Sequence, residues 1–121
     1  MKRKFCLLTP ILGALAVSAF SVPQVHAQAA PQRIAITAKR FSYDPGEITL
    51  KKGQPVVLVL KSADIAHGLR FRDLNVNVKI KAGGTAEVWL TPDKAGDFVG
   101  HCSVFCGSRH GSMSLKLHVV D

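Results

Sequence analysis

Residues 32–60 read Gln32-Arg-Ile-Ala-Ile-Thr-Ala-Lys39, Arg40-Phe-Ser-Tyr-Asp44-Pro-Gly46, Glu47-Ile-Thr-Leu-Lys51, Lys52-Gly53-Gln-Pro55 and Val56-Val-Leu-Val-Leu60. Ile34, Ile36 and Ala38 alternate with Arg33, Thr37 and Lys39, which is the period-two signature of a half-buried strand. Asp44-Pro45-Gly46 is a turn, Ile48 and Leu50 open the next short strand, and Lys52-Gly53 turns again. Pro55 then starts the run Val56 to Leu60, apolar on both faces and so a central strand.

The same grammar continues downstream. Val76, Val78 and Ile80 alternate with Asn75, Asn77 and Lys79, and Ala82-Gly83-Gly84 turns into Thr85–Leu90. Residues 91–96 form a longer connection. Asp97–Cys102 and Ser114–Val120 are the last two expected strands, with Leu115, Leu117 and Val119 inward. No stretch offers an amphipathic helix, an internal repeat or a low-complexity linker. About seven short strands, with turns roughly every 8–12 residues, predict an all-β, antiparallel β-sandwich.

Upstream of this pattern the chain reads differently. Lys2, Arg3 and Lys4 form a positive start, Leu7 to Phe20 is mostly apolar, and Val25-His26-Ala27 puts small residues where a signal peptidase reads. The expectation is a secretory signal over residues 1–27, cleaved after Ala27, with one domain over 28–121 and a periplasmic location. The alternative is an anchor in the inner membrane formed by residues 7–25. Against it, the apolar run is short for a span of about 20 residues and is interrupted by Pro10 and Ser18. Cys6 lacks a lipoprotein context and is given no role.

Removing residues 1–27 from the 121 leaves 94, enough for one small domain. Once Lys2, Arg3 and Lys4 are gone, 13 of the 16 Lys and Arg remain against 8 Asp and Glu, a net charge near +5. The excess is dispersed over positions such as Arg33, Lys39, Lys51, Arg70, Arg72 and Lys79 rather than gathered with aromatics, which argues against nucleic-acid binding. It fits a solvated surface, or steering toward an acidic partner or an anionic membrane surface.

The chemistry lies in Cys102-Ser-Val-Phe-Cys106-Gly-Ser-Arg-His110-Gly-Ser-Met113, where two thiols, an imidazole and a thioether fall within 12 residues. A second imidazole, His67, precedes Cys102 by 35 positions. Soft thiolate and thioether donors together with imidazole select copper over hard cations. One Cys would suit a single blue-copper ion, whereas two in one loop can each bridge a pair of coppers. Each copper would then add one His and one weak axial donor. Gly107 and Gly111 would let the backbone turn tightly between these ligands.

Other readings compete. An even pair of cysteines in an oxidising compartment suggests a Cys102–Cys106 disulfide. Zinc could close a tetrahedral site on His67, Cys102, Cys106 and His110, leaving Met113 unexplained. Met113 alone would be a core filler, and His67 alone a satisfied polar group. A helix would align Cys102, Cys106 and His110, but the two glycines and the flanking strands oppose it. His101 should face away from Cys102, His118 should be a surface residue, and Trp89 should serve packing.

From about Gln32 to Asp121 the chain resembles the copper-binding domain of subunit II of haem-copper (cytochrome c) oxidases, closest to the compact bacterial ba3-type form. The carrying segments are Phe41-Ser-Tyr-Asp-Pro-Gly-Glu-Ile-Thr-Leu, Ser62-Ala-Asp-Ile-Ala-His67-Gly, Asn75-Val-Asn-Val, and the loop Cys102-x3-Cys106-Gly-x2-His110-x2-Met113. The C-terminal domain of nitrous oxide reductase shares that loop.

The resemblance implies a cupredoxin-like Greek-key sandwich with a two-copper CuA centre. It also implies Cys102 and Cys106 as bridges, His67 and His110 as one ligand to each copper, and Met113 and the Val104 carbonyl as weak axial donors. The oxidase family often carries Glu where Val104 stands, and that side chain helps bind magnesium, which Val cannot do. The usual subunit II also has one or two membrane helices where this chain has only a signal-like segment.

The implied activity is single-electron transfer from a cytochrome-like donor to a terminal oxidase or reductase, by a protein that is not an enzyme alone. Two alternatives stay open: a periplasmic copper chaperone or storage protein, which would itself meet copper-delivery partners, and a membrane-anchored oxidase subunit.

Overall fold

The computed structural model describes residues 10–24 and 30–121. The basic start Lys2–Lys4, Cys6, His26 and the expected cleavage point after Ala27 lie outside the described residues. Residues 10–24 carry neither helix nor strand and are exposed. Among the described residues no helix is long and apolar enough to cross a membrane.

Nine strands follow: β1 Gln32–Lys39, β2 Ser42–Asp44, β3 Glu47–Lys51, β4 Val56–Ser62, β5 His67–Phe71, β6 Val76–Ile80, β7 Thr85–Leu90, β8 Gly96–His101 and β9 Ser114–Val120. They form two sheets, one ordered β2-β1-β4-β7 and the other β3-β9-β8-β5-β6. Among the described residues, helical structure is confined to two single 3₁₀ turns, Arg72–Leu74 and His110–Ser112.

The expected sandwich is present, with one addition that a period-two reading does not reveal. β1 runs parallel to β4, and β3 runs parallel to β9, while the other pairs are antiparallel. Alternation reports which face a residue occupies and carries no information on strand direction. The two strands absent from the sequence reading are β2, three residues long, and β5, whose Gly68 and Arg70 break the apolar run.

Between the sheets, Ile36, Leu58, Leu60, Leu69, Phe71, Ile80, Leu115 and Leu117 are fully buried. Each such side chain contributes ~1.5–3 kcal/mol relative to exposure. β4 is interior to its sheet, and Val57 is buried although it alternates with the core-facing Val56 and Leu58. That matches its reading as a central strand. Trp89, paired with Val57 on β7, is 66% exposed and lies on the surface.

The core closes at one end around two connections. Ala63–Ala66 joins β4 to β5, and the loop 102–113 joins β8 to β9. The second loop is pinned at its base, where the Cys102 N–H donates to the Met113 carbonyl at 3.1 Å and extends the β8–β9 ladder by one rung.

Candidate metal centre

Strand ends position the donors. His67 is the first residue of β5, Cys102 directly follows β8, and Met113 directly precedes β9. Because β5, β8 and β9 are neighbours in one sheet, residues 35 positions apart in sequence converge. His67, Cys102, Cys106 and Met113 are all buried, and His110 is partly exposed.

The two sulfurs stand 3.7 Å apart and both cysteines are free thiols, so the expected alternative of a disulfide is not formed. His67 Nδ1 lies 4.0 Å from the Cys102 sulfur, and His110 Nδ1 lies 3.5 Å from the Cys106 sulfur. The Met113 sulfur is 3.8 Å from that of Cys106, and the Cys102 thiol donates to the Val104 carbonyl at 3.1 Å. All six sequence-nominated residues therefore gather in one place. His67, Cys102 and Cys106 form a cluster whose donor atoms lie within 4.8 Å of one another, which could bind copper.

Arrangement and chemistry agree. Each sulfur has its own imidazole on one side and its own weaker donor on the other: Val104 oxygen at Cys102, Met113 sulfur at Cys106. A donor set of two thiolates, two imidazoles, a thioether and a carbonyl is soft and suits copper. Burial raises the Cys106 thiol to about 11, reinforced by hydrogen bonding and charge repulsion from Cys102. Metal entry must therefore displace a firmly held proton.

Three supporting residues were not given roles from sequence. Asp64 Oδ1 is 2.6 Å from His67 Nε2. Burial opposes ionisation of Asp64, but the Arg40 backbone N–H, the His67 ring and the Ile65 backbone N–H outweigh it and hold the carboxyl at about 2. An ionised Asp64 only accepts, so His67 carries its proton on Nε2 and turns the Nδ1 lone pair toward the sulfurs. The three-residue spacing from Asp64 to His67 was the available signal.

Tyr43, buried on β2, donates its hydroxyl to the Gly68 carbonyl, while the Gly68 N–H points to the Cys102 sulfur at 3.5 Å. Burial first, then the adjacent Cys102 thiol, keeps the Tyr43 phenol protonated far above its ordinary range. Gly68 is required by close approach: a Cβ there would stand 2.1 Å from the Ser103 hydroxyl of the ligand loop.

Of the two loop glycines, Gly107 behaves as expected. Its φ of 131° is left to glycine, and a Cβ would meet the Phe41 ring at 2.9 Å. Gly111 sits in the 3₁₀ turn without a positive φ and with open space around it, so no conformational demand for glycine exists there. His101 is exposed on the opposite side of β8 from the core, and His118 is a surface residue held by Asp97 and Glu47.

With fold and site in view, the class is that of a β-sandwich carrying a sulfur- and imidazole-rich site at one end. The chain belongs to the cupredoxin-like domain family, which matches residues 11–113. Among sequence relatives, cytochrome c oxidase subunit 2 of Thermus thermophilus is 29% identical over 80 residues, covering 66% of this chain and 59% of that protein. Nitrous-oxide reductase of Cupriavidus necator is 33% identical over 90 residues, covering 71% of this chain and 14% of the reductase.

The chain thus spans less than two thirds of the length of either relative. Among solved structures, the periplasmic domain of cytochrome oxidase subunit II (CoxB) from Bradyrhizobium japonicum superposes with a TM-score of 0.69 at 22% identity. That match covers 78% of this chain and 87% of the CoxB domain, and it establishes likeness of fold.

Proposed function

We propose that this chain is a periplasmic electron-transfer protein with a two-copper CuA-type centre. Cys102 and Cys106 would supply thiolates to both coppers, His67 and His110 would give one imidazole to each, and Met113 and the Val104 carbonyl would be the weaker donors. Residues 1–27 act as the export signal, and residues 28–121 are the working domain. The donor is a cytochrome-like protein and the acceptor a terminal oxidase or reductase.

One observation carries this reading: two free thiols 3.7 Å apart, each facing a different histidine through Nδ1. A closed zinc site would use the same thiols and imidazoles but gives no reason for the Met113 sulfur at 3.8 Å from Cys106.

Bound copper would supply a one-electron couple shared across the pair. The chain's own contribution is rigidity and exclusion of water. Donors are fixed at strand ends, Asp64 orients His67, and the Gly68 N–H and Tyr43 lock β5 against Cys102.

Rapid mixing of the copper-loaded chain with a reduced c-type cytochrome tests the function. Fast oxidation of the cytochrome by one electron per chain supports it. Slow or absent oxidation, with ready loss of Cu(I) to a chelator, would move the assignment to copper handling.

A further inference from the structure

The outer face of the β3-β9-β8-β5-β6 sheet is divided in charge. Residues paired across antiparallel strands point to the same side, so Arg70 and His101 share this face, as do Asp97 and His118 further down. In the half away from the ligand loop, His118 and Lys116 are matched by carboxylates, while Lys51 stands alone among the described residues. His118 lies 2.6 Å from Asp97 and 3.5 Å from Glu47, and Lys116 lies 3.5 Å from Glu47.

Beside the ligand loop this matching stops. Arg70 and Arg72 take part in no ion pair among the described residues. Strands β5 and β8 are paired only at Arg70 and His101, and next to that pair lies a cleft of about 540 Å³. Arg70, Arg72, His101, Val99, Cys102 and Ser103 line it, and its one carboxylate is Asp73.

We propose that this cleft is the docking site for a protein partner presenting an acidic face, whose Asp and Glu carboxylates are received by Arg70 and Arg72. Guanidinium groups bind carboxylates through paired, charge-assisted hydrogen bonds, and two unneutralised ones in one cleft create a local positive field. Val99, 49% exposed in the lining of the same cleft, adds an apolar contact that a protein surface fills and a free ion does not. Docking here sets the partner's edge against Cys102, a residue shared by cleft and metal site. The inference rests on the electron-transfer reading only for the partner's role; the two guanidinium groups that receive the carboxylates are not metal donors.

The probe is a hexaglutamate peptide, titrated into the ¹⁵N-labelled full chain, metal-free and copper-loaded, and followed by amide shifts. Binding centred on Arg70, Arg72 and His101 is expected, weakening as salt rises from about 20 to about 200 mM. Arg70→Gln with Arg72→Gln should weaken it at least about tenfold, while Lys51→Gln, at the far end of the same face, leaves it unchanged. Copper stoichiometry, measured in the same samples, should be the same in all three proteins, so failure of the cleft and failure of the metal site are read separately.

Equal affinity in the double variant would overturn the proposal. So would displacement of the peptide by an equal concentration of inorganic phosphate, which would define a simple anion site. Capture of the chain by anionic phosphatidylserine vesicles without any peptide binding would overturn it in favour of a membrane surface.

Discussion

Asp64 and Cys102 flank the same imidazole from opposite sides: Asp64 Oδ1 is 2.6 Å from His67 Nε2, and the Cys102 sulfur is 4.0 Å from His67 Nδ1. The carboxylate fixes both the tautomer and the ring plane, so the metal-facing nitrogen is aimed before any ion arrives. Carboxylates behind metal-binding histidines are worth about 10–100-fold in affinity.

Asp64→Asn should therefore lower copper affinity by about 10–100-fold without unfolding the domain, since Asp64 is not in the core. Competition against a Cu(I) chelator, with circular dichroism as the control for folding, measures it. Unchanged affinity would mean that His67 is oriented by packing alone.

Gly68→Ala tests the contact between β5 and the ligand loop. A methyl group 2.1 Å from the Ser103 hydroxyl turns that side chain aside, and at 3.1 Å from the Val104 backbone nitrogen it presses on the ligand loop. Overpacking of this kind costs about 1–3 kcal/mol. The expected outcome is a domain of lowered Tm with a perturbed or absent copper spectrum, read by calorimetry and absorption.

Cys102→Ser and Met113→Leu separate bridging from axial roles. Loss of Cys102 removes the sulfur beside both His67 and Cys106, so the two-copper stoichiometry should disappear. The Met113 sulfur lies beside that of Cys106 and the side chain is fully buried, so leucine should keep two coppers and the fold while shifting the reduction potential. Metal analysis and voltammetry check the pair.

The matched half of the outer sheet face gives a pH dependence far from the metal. The hydrogen bond to Asp97 raises the His118 pKa above its ordinary value, with Glu47 adding to it. A raised folded pKa means the stabilisation is complete below the unfolded value of about 6.5 and is lost as pH rises through the folded one. The stability gap between the native chain and His118→Gln should be largest below the unfolded value of about 6.5 and shrink as pH rises above it. Urea titrations on both sides of that value measure it, and a gap that widens with pH would reverse the assignment.

The fold was legible where burial writes a pattern. Ile36, Leu58, Ile80 and Leu117 announce the core through alternation, and the central strand β4 announces itself by lacking any. Strand direction was not legible, because a parallel β1–β4 ladder and an antiparallel one bury the same residues. β5 was hidden because it is short: Leu69 and Phe71 face the core in alternation with Gly68 and Arg70, too few residues for the period to stand out.

The donors were legible because Cys, His and Met are rare and closely spaced in the loop. Their support was not: Asp64, Tyr43 and Gly68 are ordinary residues whose roles arise only when β2, β5 and the loop meet.

The central claim is that Cys102 and Cys106 hold two coppers between them. Copper content per chain, together with an electron paramagnetic resonance spectrum of the reconstituted protein, tests it most directly. Two coppers sharing one unpaired electron, with hyperfine splitting from both nuclei, is the expected result. One copper per chain with a single-nucleus pattern, or a site that takes up only zinc, would contradict it.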